Sequence, residues 1–194
     1  MKNKMMMLGI PFLTFAFILV GCGNDSENSK QENSEEQSNM ELSSKDDMDH
    51  MDHSGSGKVP ENLEEAMNPT YEIGSQAIIE SEHMSGMEGA EATIKGAYKT
   101  TAYVVSYTPT NGGERVEDHK WVIHEEIEKT SNEQFESGSE VTLNASHMKG
   151  MEGAKATIDS ANETTVYMID YTPTTGGEKV SNHKWVTEDE LFTK

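Results

Sequence analysis

The sequence predicts an all-β protein built from two tandem copies of one small unit, which follow an N-terminal signal and a polar tether. Three observations lead to this prediction. Residues 83–127 align with residues 147–191 without a gap, and 27 of the 45 aligned positions are identical. Segments rich in β-branched and aromatic residues recur in both copies, with proline or paired glycines after them. Residues 23–58 contain few apolar side chains, so they have no basis for a packed core.

The first 22 residues are predicted to be a lipoprotein signal. Lys2 and Lys4 precede an apolar run that ends in the sequence Leu-Val-Gly-Cys at Cys22. The run is short and interrupted for a membrane span but suits a secretory signal. Leu-Val-Gly-Cys resembles a bacterial lipobox, whose cysteine is lipidated after cleavage, although an ordinary signal peptide with an incidental cysteine is the alternative. Since Cys22 is the only cysteine, no thiol remains for catalysis or for a disulfide.

Residues 23–65 are predicted to be a disordered acidic tether. The net charge of −20 disfavours nucleic acid as a partner and attracts cations. Within the tether, Met-Asp-His occurs twice in succession, and such tracts often bind metal ions. The four potential ligands of this segment are Met48, His50, Met51 and His53. The alternative is a solvated linker in which these residues have no role.

The remaining residues divide into a first repeat domain, 66–129, and a second, 130–194. Each is near the lower size limit for a stable domain, so the two are expected to pack on each other. Frequent turns between short strands favour a small barrel in each copy, similar to SH3-like barrels of the KOW type. The predicted strands are 77–79, 90–94, 100–107 and 119–122 in the first copy and 141–143, 154–158, 164–171 and 183–186 in the second. Residues 125–127 and 189–191 are each predicted to close a copy with one helical turn.

Both copies carry the motif His-Met-x-Gly-Met-Glu-Gly-Ala, which pairs imidazole with thioether sulfur. Thioethers select Cu(I), and imidazole tolerates it. Zinc sites favour thiolate, imidazole or carboxylate, and iron–sulfur clusters need thiolates, so copper matches these residues best. The candidate ligands are His83, Met84 and Met87 in the first copy and His147, Met148 and Met151 in the second. The alternative is that the methionines fill the core and the histidines bond to the backbone.

Two further histidines, His119 and His183, lie two residues before the repeated Trp121 and Trp185. They could donate to the same metal from a neighbouring strand, or they could pair with Tyr or Glu side chains. The tryptophans are predicted to fill the core, with a cation–π role as the alternative. The sequence has no serine nucleophile elbow, no His-Glu-x-x-His motif and no phosphate-binding loop, so the protein is predicted not to be an enzyme.

Three repeated elements together resemble the YdhK-type lipoproteins of Gram-positive bacteria, which carry a tandem domain of unknown function. These elements are the two His-Met-x-Gly-Met-Glu-Gly-Ala motifs, two Tyr-Thr-Pro-Thr-x-Gly-Gly-Glu turns and two His-Lys-Trp-Val strands. The resemblance covers residues 66–194 and the lipobox. Similar proteins include the CopL-type surface lipoproteins, which are implicated in copper binding and tolerance.

The resemblance implies a protein that is lipid-anchored on the outer face of the cell membrane and sequesters Cu(I). Its partners would then be copper, the membrane and an exporter or wall component. The alternatives are a module that binds the cell wall or another protein, with structural Met and His, and a lipoprotein that helps another surface protein to assemble.

Overall fold

The computed structural model describes residues 54–128 and 133–194. Cys22 and the Met/His segment at residues 48–53 lie outside these residues, so the lipid anchor and metal capture by the tether stay predictions. Within the described residues, no helix is both long enough and apolar enough to cross a membrane.

The described part of the chain is all-β, as the sequence predicted. Its two 3₁₀ turns, His124–Glu126 and Glu188–Glu190, take the place of the predicted helical turns. The strands are β1 (Glu64–Glu65), β2 (Gln76–Ile79), β3 (Glu91–Tyr107), β4 (Val116–Ile123), β5 (Glu140–Thr142), β6 (Lys155–Tyr171), β7 (Val180–Thr187) and β8 (Leu191–Phe192).

Strands β3 and β6 are each 17 residues long, and each replaces two short strands of the sequence-based prediction. They pair with each other in antiparallel register from Ala92↔Tyr171 to Tyr107↔Ala156. This partner supplies hydrogen bonds to the polar middle of each strand, where local propensity is weak. The local sequence therefore could not indicate that the strands continue.

All eight strands belong to one sheet, in the order β5-β6-β3-β2-β8, with β1 and β4 also on β3 and β7 on β6. The ends of the two copies meet across this sheet. Ile79 in the first copy pairs with Leu191 in the second, and Ile127 forms the matching bridge with Leu143. The first strand of each copy therefore lies beside the last residues of the other copy.

The two principal cores also mix the copies. One joins Ile79, Met87 and Ile94 of the first copy to Tyr167 and Leu191 of the second. The other joins the second half of the first copy, including Tyr103 and Val122, to the first half of the second copy, including Leu143, Met151 and Ile158. The segments 66–129 and 130–194 are repeats in sequence, but neither one contains a complete core.

A third cluster contains both repeated tryptophans, which confirms that they are core residues. Trp121 and Trp185 pack with Ala102, Ile123 and Val166. The peptide bonds that precede both tryptophans are cis.

Residues 54–65 were predicted to end the disordered tether, and this part of the prediction is wrong. Val59 and Leu63 pack against the tryptophan cluster. The Gly55 N–H donates to the Ser181 carbonyl at 2.8 Å, and β1 pairs with β3 at Glu64↔Lys99. Two apolar side chains and a set of backbone hydrogen bonds offset the entropy of ordering this short segment.

The loop that carries each His-Met motif is held by the Pro-Thr turn of the other copy. The Thr174 N–H donates to the Gly86 carbonyl at 2.9 Å, and the Thr110 N–H donates to the Gly150 carbonyl at 2.8 Å. Gly86 has a φ of +78°, and a Cβ there would lie 2.8 Å from the Pro173 Cβ. Both the left-handed backbone and this close approach require glycine.

We expect Gly86→Ala to lower the free energy of unfolding by about 2–4 kcal/mol, because it adds a steric clash to the cost of a left-handed alanine. Gly89→Ala is the matched control, since Gly89 has a φ of +73° but a Cβ at this position would have no neighbour within 4 Å. It should cost only about 1 kcal/mol. Urea unfolding measures both values, and equal losses would contradict the close packing of the two copies at Gly86.

Asp170 holds the start of β7 through its two carboxylate oxygens. They accept hydrogen bonds from the Asn182 N–H at 2.8 Å and from Lys179 at 2.9 Å. Burial by itself would raise the pKa of Asp170, but these bonds and the charges of Lys179 and Lys95 outweigh burial and lower it. Asn182 has a φ of 51°, so the bond to its N–H helps to stabilise an unfavourable conformation.

We expect Asp170 to make the protein less stable in acid. Because its pKa is lower in the folded than in the unfolded state, its contribution is present above the usual value of 3.8 and is lost as the pH falls through the folded pKa. Asp170→Ser, which copies Ser106 at the equivalent position, should lower stability at neutral pH and flatten its decline between about pH 5 and pH 2. Thermal unfolding across this range is the measurement, and an unchanged slope would contradict the assignment.

Candidate metal centre

A buried carboxylate connects the first His-Met loop to the end of the second copy. The Nε2 atom of His83 lies 2.7 Å from Oε1 of Glu190. The other oxygen, Oε2, accepts hydrogen bonds from Trp121 Nε1 at 2.8 Å and from the Thr187 N–H at 3.0 Å. His83, Glu190 and Trp121 thus come from the loop, the last 3₁₀ turn and β4, and the swapped arrangement of the copies brings them together.

The second His-Met loop repeats this arrangement with the copies exchanged. His147 Nε2 lies 2.8 Å from Oε1 of Glu126, and Oε2 of Glu126 accepts a hydrogen bond from Trp185 Nε1 at 3.0 Å. The Ile123 N–H donates to the same oxygen at 3.3 Å. Two nearly identical His–Glu–Trp sets therefore exist, and each spans both copies.

Both carboxylates are held in the ionised form although they are buried. Burial alone would raise the pKa of Glu126, but His147 and the hydrogen bond from Trp185 outweigh it, and the pKa is lowered. The same balance, with His83 and Trp121, lowers the pKa of Glu190. A carboxylate that accepts a hydrogen bond from Nε2 leaves Nδ1 as the ring nitrogen that is available to another partner.

The Nδ1 atoms of His83 and His147 are buried and have no hydrogen-bond partner. The side chains are 9% and 10% exposed. Buried polar atoms are almost always paired, so two unpaired nitrogens at equivalent positions call for an explanation. A histidine that binds a metal through one nitrogen and a carboxylate through the other has this geometry.

His119, on β4, lies beside the second loop. The centroids of the His119 and His147 rings are 6.4 Å apart, and the Nε2 atom of His119 is also buried without a partner. Burial, followed by the charges of His147 and His83, lowers the pKa of His119 to about 4. His119 is therefore neutral at physiological pH, which is the form that can bind a metal.

Tyr107 contacts both His119 and the Met148 sulfur. Tyr107 contacts His119 edge-on, with centroids 5.9 Å apart, and its hydroxyl donates to Met148 Sδ at 3.9 Å. Burial raises the pKa of Tyr107, so the hydroxyl keeps its proton. The equivalent Tyr171 contacts His183 at 5.7 Å with nearly the same angle. This agreement makes His83, Met84 and His183 the counterpart of His147, Met148 and His119.

The structure separates the predicted ligands into two groups. Met87 and Met151 are fully buried in the two apolar cores, which gives them a packing role. Met84 and Met148 are only partly buried. Across residues 54–128 and 133–194, no three His, Cys, Asp or Glu side chains form a metal-binding group. A site at either loop therefore needs a thioether to supplement its imidazoles.

The sequence-based reasoning missed Glu126 and Glu190. A signal was present, because these glutamates are identical in the two copies while the residues on either side differ, with Glu125 and Ile127 in the first copy and Asp189 and Leu191 in the second. It also did not predict that His119 would lie beside His147 of the other copy.

The fold and the paired sites define an all-β protein in which two repeats share both cores and both His–Glu–Trp sets. The chain matches the family described as "Protein of unknown function (DUF1541)" at residues 73–124 and 137–188, and it belongs to this family. It is 58% identical to "Uncharacterized protein YdhK" of Bacillus subtilis (strain 168), over 100% of this chain and 92% of that protein.

Two solved structures of the Bacillus subtilis protein support the fold. A crystal structure of this DUF1541 family protein has a TM-score of 0.72 and 67% identity, and the match covers 75% of this chain and 99% of that one. A solution NMR structure of the ydhK C-terminal domain has a TM-score of 0.61 and 67% identity, and the match covers 63% of this chain and 93% of that one.

We expect Glu190→Gln to lower the free energy of unfolding by about 2–3 kcal/mol, because an amide cannot replace the charge that His83, Trp121 and Thr187 surround. Asp189→Asn is the control, since Asp189 is exposed in the same turn. It should change stability by less than about 0.5 kcal/mol. Chemical denaturation compares the two variants, and similar effects would show that the carboxylate is not structurally important.

Proposed function

We propose that this protein binds Cu(I) at two sites, one at each His-Met loop, and sequesters it outside the cell. One site comprises His147, Met148 and His119, and the other comprises His83, Met84 and His183. The observation that carries the proposal is the pair of buried, unpartnered Nδ1 atoms on His83 and His147, each on a ring whose Nε2 atom contacts a buried glutamate.

The distances at the second loop are compatible with a shared metal ion. Imidazole nitrogens bind such ions at roughly 2.0 Å, so two rings on opposite sides of one ion have centroids about 6 Å apart. The His119 and His147 centroids are 6.4 Å apart, and both rings have a buried nitrogen without a partner. Met148 is the third ligand of the proposed site, since Tyr107 contacts both its sulfur and His119.

The ligand types favour copper over other metals. A set of two imidazoles and one thioether is softer than the nitrogen and oxygen sets that suit zinc or magnesium. Glu126 and Glu190 do not bind the metal themselves. They contact Nε2 of His147 and His83, orient each imidazole and increase its basicity. A neutral His119 also spares the site the cost of displacing a proton before it binds metal.

The N-terminal sequence supports a location outside the cytoplasm. In the proposed arrangement, lipid at Cys22 anchors the chain, and the tether with its Met48 to His53 segment captures copper near the membrane. The folded sites would then limit copper uptake or pass the ion to an exporter. A wall-binding or protein-binding module would not need the unpaired ring nitrogens of His83, His119 and His147.

We expect the mature chain to hold two Cu(I) equivalents in its folded part against a competing chelator. His147→Gln combined with Met148→Leu should remove one equivalent, because two of the three ligands of that site are lost. Met67→Leu is the control, since Met67 is 89% exposed and belongs to neither site. Calorimetric or spectroscopic titration with Cu(I) measures the stoichiometry.

Two results would contradict the proposal. If the His147→Gln, Met148→Leu variant binds as much copper as the Met67→Leu variant, the second loop is not a site. If the wild-type chain binds no Cu(I) at micromolar competition, the His and Met residues are structural and the alternative of an interaction module gains support.

A further inference from the structure

The two His-Met loops differ in charge although their ligands are the same. The first loop region carries Glu80, Glu82 and Glu88 and no basic residue between positions 80 and 90. At the equivalent positions the second loop has Asn144, Ser146 and Glu152, and Lys149 replaces Ser85. The first loop therefore has a formal charge of −3, and the second has a formal charge of zero.

The carboxylates of the first loop lie close together beside a candidate ligand. Glu82, Glu88 and Met84 line one open groove of about 420 Å³, and Thr174 and Thr175 of the other copy also line it. A side-chain hydrogen bond with Glu82 raises the pKa of Glu88, and the charges of Glu82 and Glu80 raise it further. Cations that approach Met84 therefore pass a concentrated negative charge.

The first loop also has an independent indication of a ligand. His83 is nine-tenths buried, precedes Met84 in the chain, and has an Nδ1 atom without a hydrogen-bond partner. The acidic groups are thus placed next to a pair of potential soft donors. They need not bind the ion themselves in order to attract it.

We infer that the two sites fill in order, and that the site of His83, Met84 and His183 takes Cu(I) before the site of His119, His147 and Met148. This inference rests on the proposed function. The carboxylates of Glu80, Glu82 and Glu88 raise the local cation concentration at the first loop. The positive charge of Lys149 lowers it at the second loop.

The expected preference of Cu(I) for the first site can be estimated from the interaction of exposed charges in water. A difference of three unit charges within about a Debye length of the metal gives on the order of a tenfold preference at low ionic strength. Salt screens such charges, so the preference should shrink to roughly twofold at 1 M of a salt that does not bind copper.

The experiment uses the mature chain labelled with ¹³C at the methionine methyl groups and titrated with Cu(I) under a competing chelator. Met84 and Met148 signals are assigned with the Met84→Leu and Met148→Leu variants, and exposed Met67 is an internal control. We expect the Met84 signal to shift at about tenfold lower free Cu(I) than the Met148 signal.

Two charge variants at exposed positions test the cause. Glu82→Gln with Glu88→Gln should move the Met84 midpoint towards that of Met148. The reciprocal change, Ser146→Glu with Lys149→Ser, should move the Met148 midpoint towards that of Met84. The filling order would be overturned if the Met84 and Met148 midpoints were equal in the wild-type chain, or if neither charge variant changed them. The proposed function would then remain intact. If neither signal shifts at any copper concentration, both the filling order and the proposed function fail.

Discussion

The antiparallel pairing of β3 with β6 is the constraint on which the rest of the structure depends. Once these two 17-residue strands lie side by side, the strands that follow or precede each of them must occupy the remaining edges. The first strand of one copy then meets the last residues of the other, and both principal cores become shared. Neither copy can bury its apolar residues alone, because each principal core takes residues from both copies.

The buried glutamates extend this dependence from packing to electrostatics. Each of them gathers a histidine from the other copy and a tryptophan from the other copy, and each also accepts a backbone N–H from its own copy. Such a carboxylate is costly to bury unless all of its partners are in place. The correct pairing of the two copies is therefore coupled to the geometry of the histidines. The same pairing that buries the cores also positions the histidines of the candidate metal sites.

Much of the fold could be predicted because its signals are local. β-Branched and aromatic residues marked most strands, Pro and Gly-Gly marked the turns, and the repeated tryptophans indicated core positions. The ends of the long strands could not be predicted, since their polar middle segments are stabilised by each other. The order of residues 54–65 was missed for the same reason: Val59 and Leu63 are only two apolar residues in a polar segment, and their partner surface is distant in sequence.

The sequence by itself determined the two copies, the all-β class and the residue types at the candidate sites, because these follow from composition and short-range pattern. Only the tertiary structure decided whether the loop of each copy contacts its own copy or the other copy. The same pattern of residues would allow His83 to meet Glu126 within its own copy or Glu190 in the other, and a repeated sequence cannot distinguish these choices. The pairing of β3 with β6 selects the contacts between copies, so that His83 contacts Glu190 and His119 lies beside His147. It also buries Met87 and Met151 fully in the cores, whereas Met84 and Met148 are only partly buried.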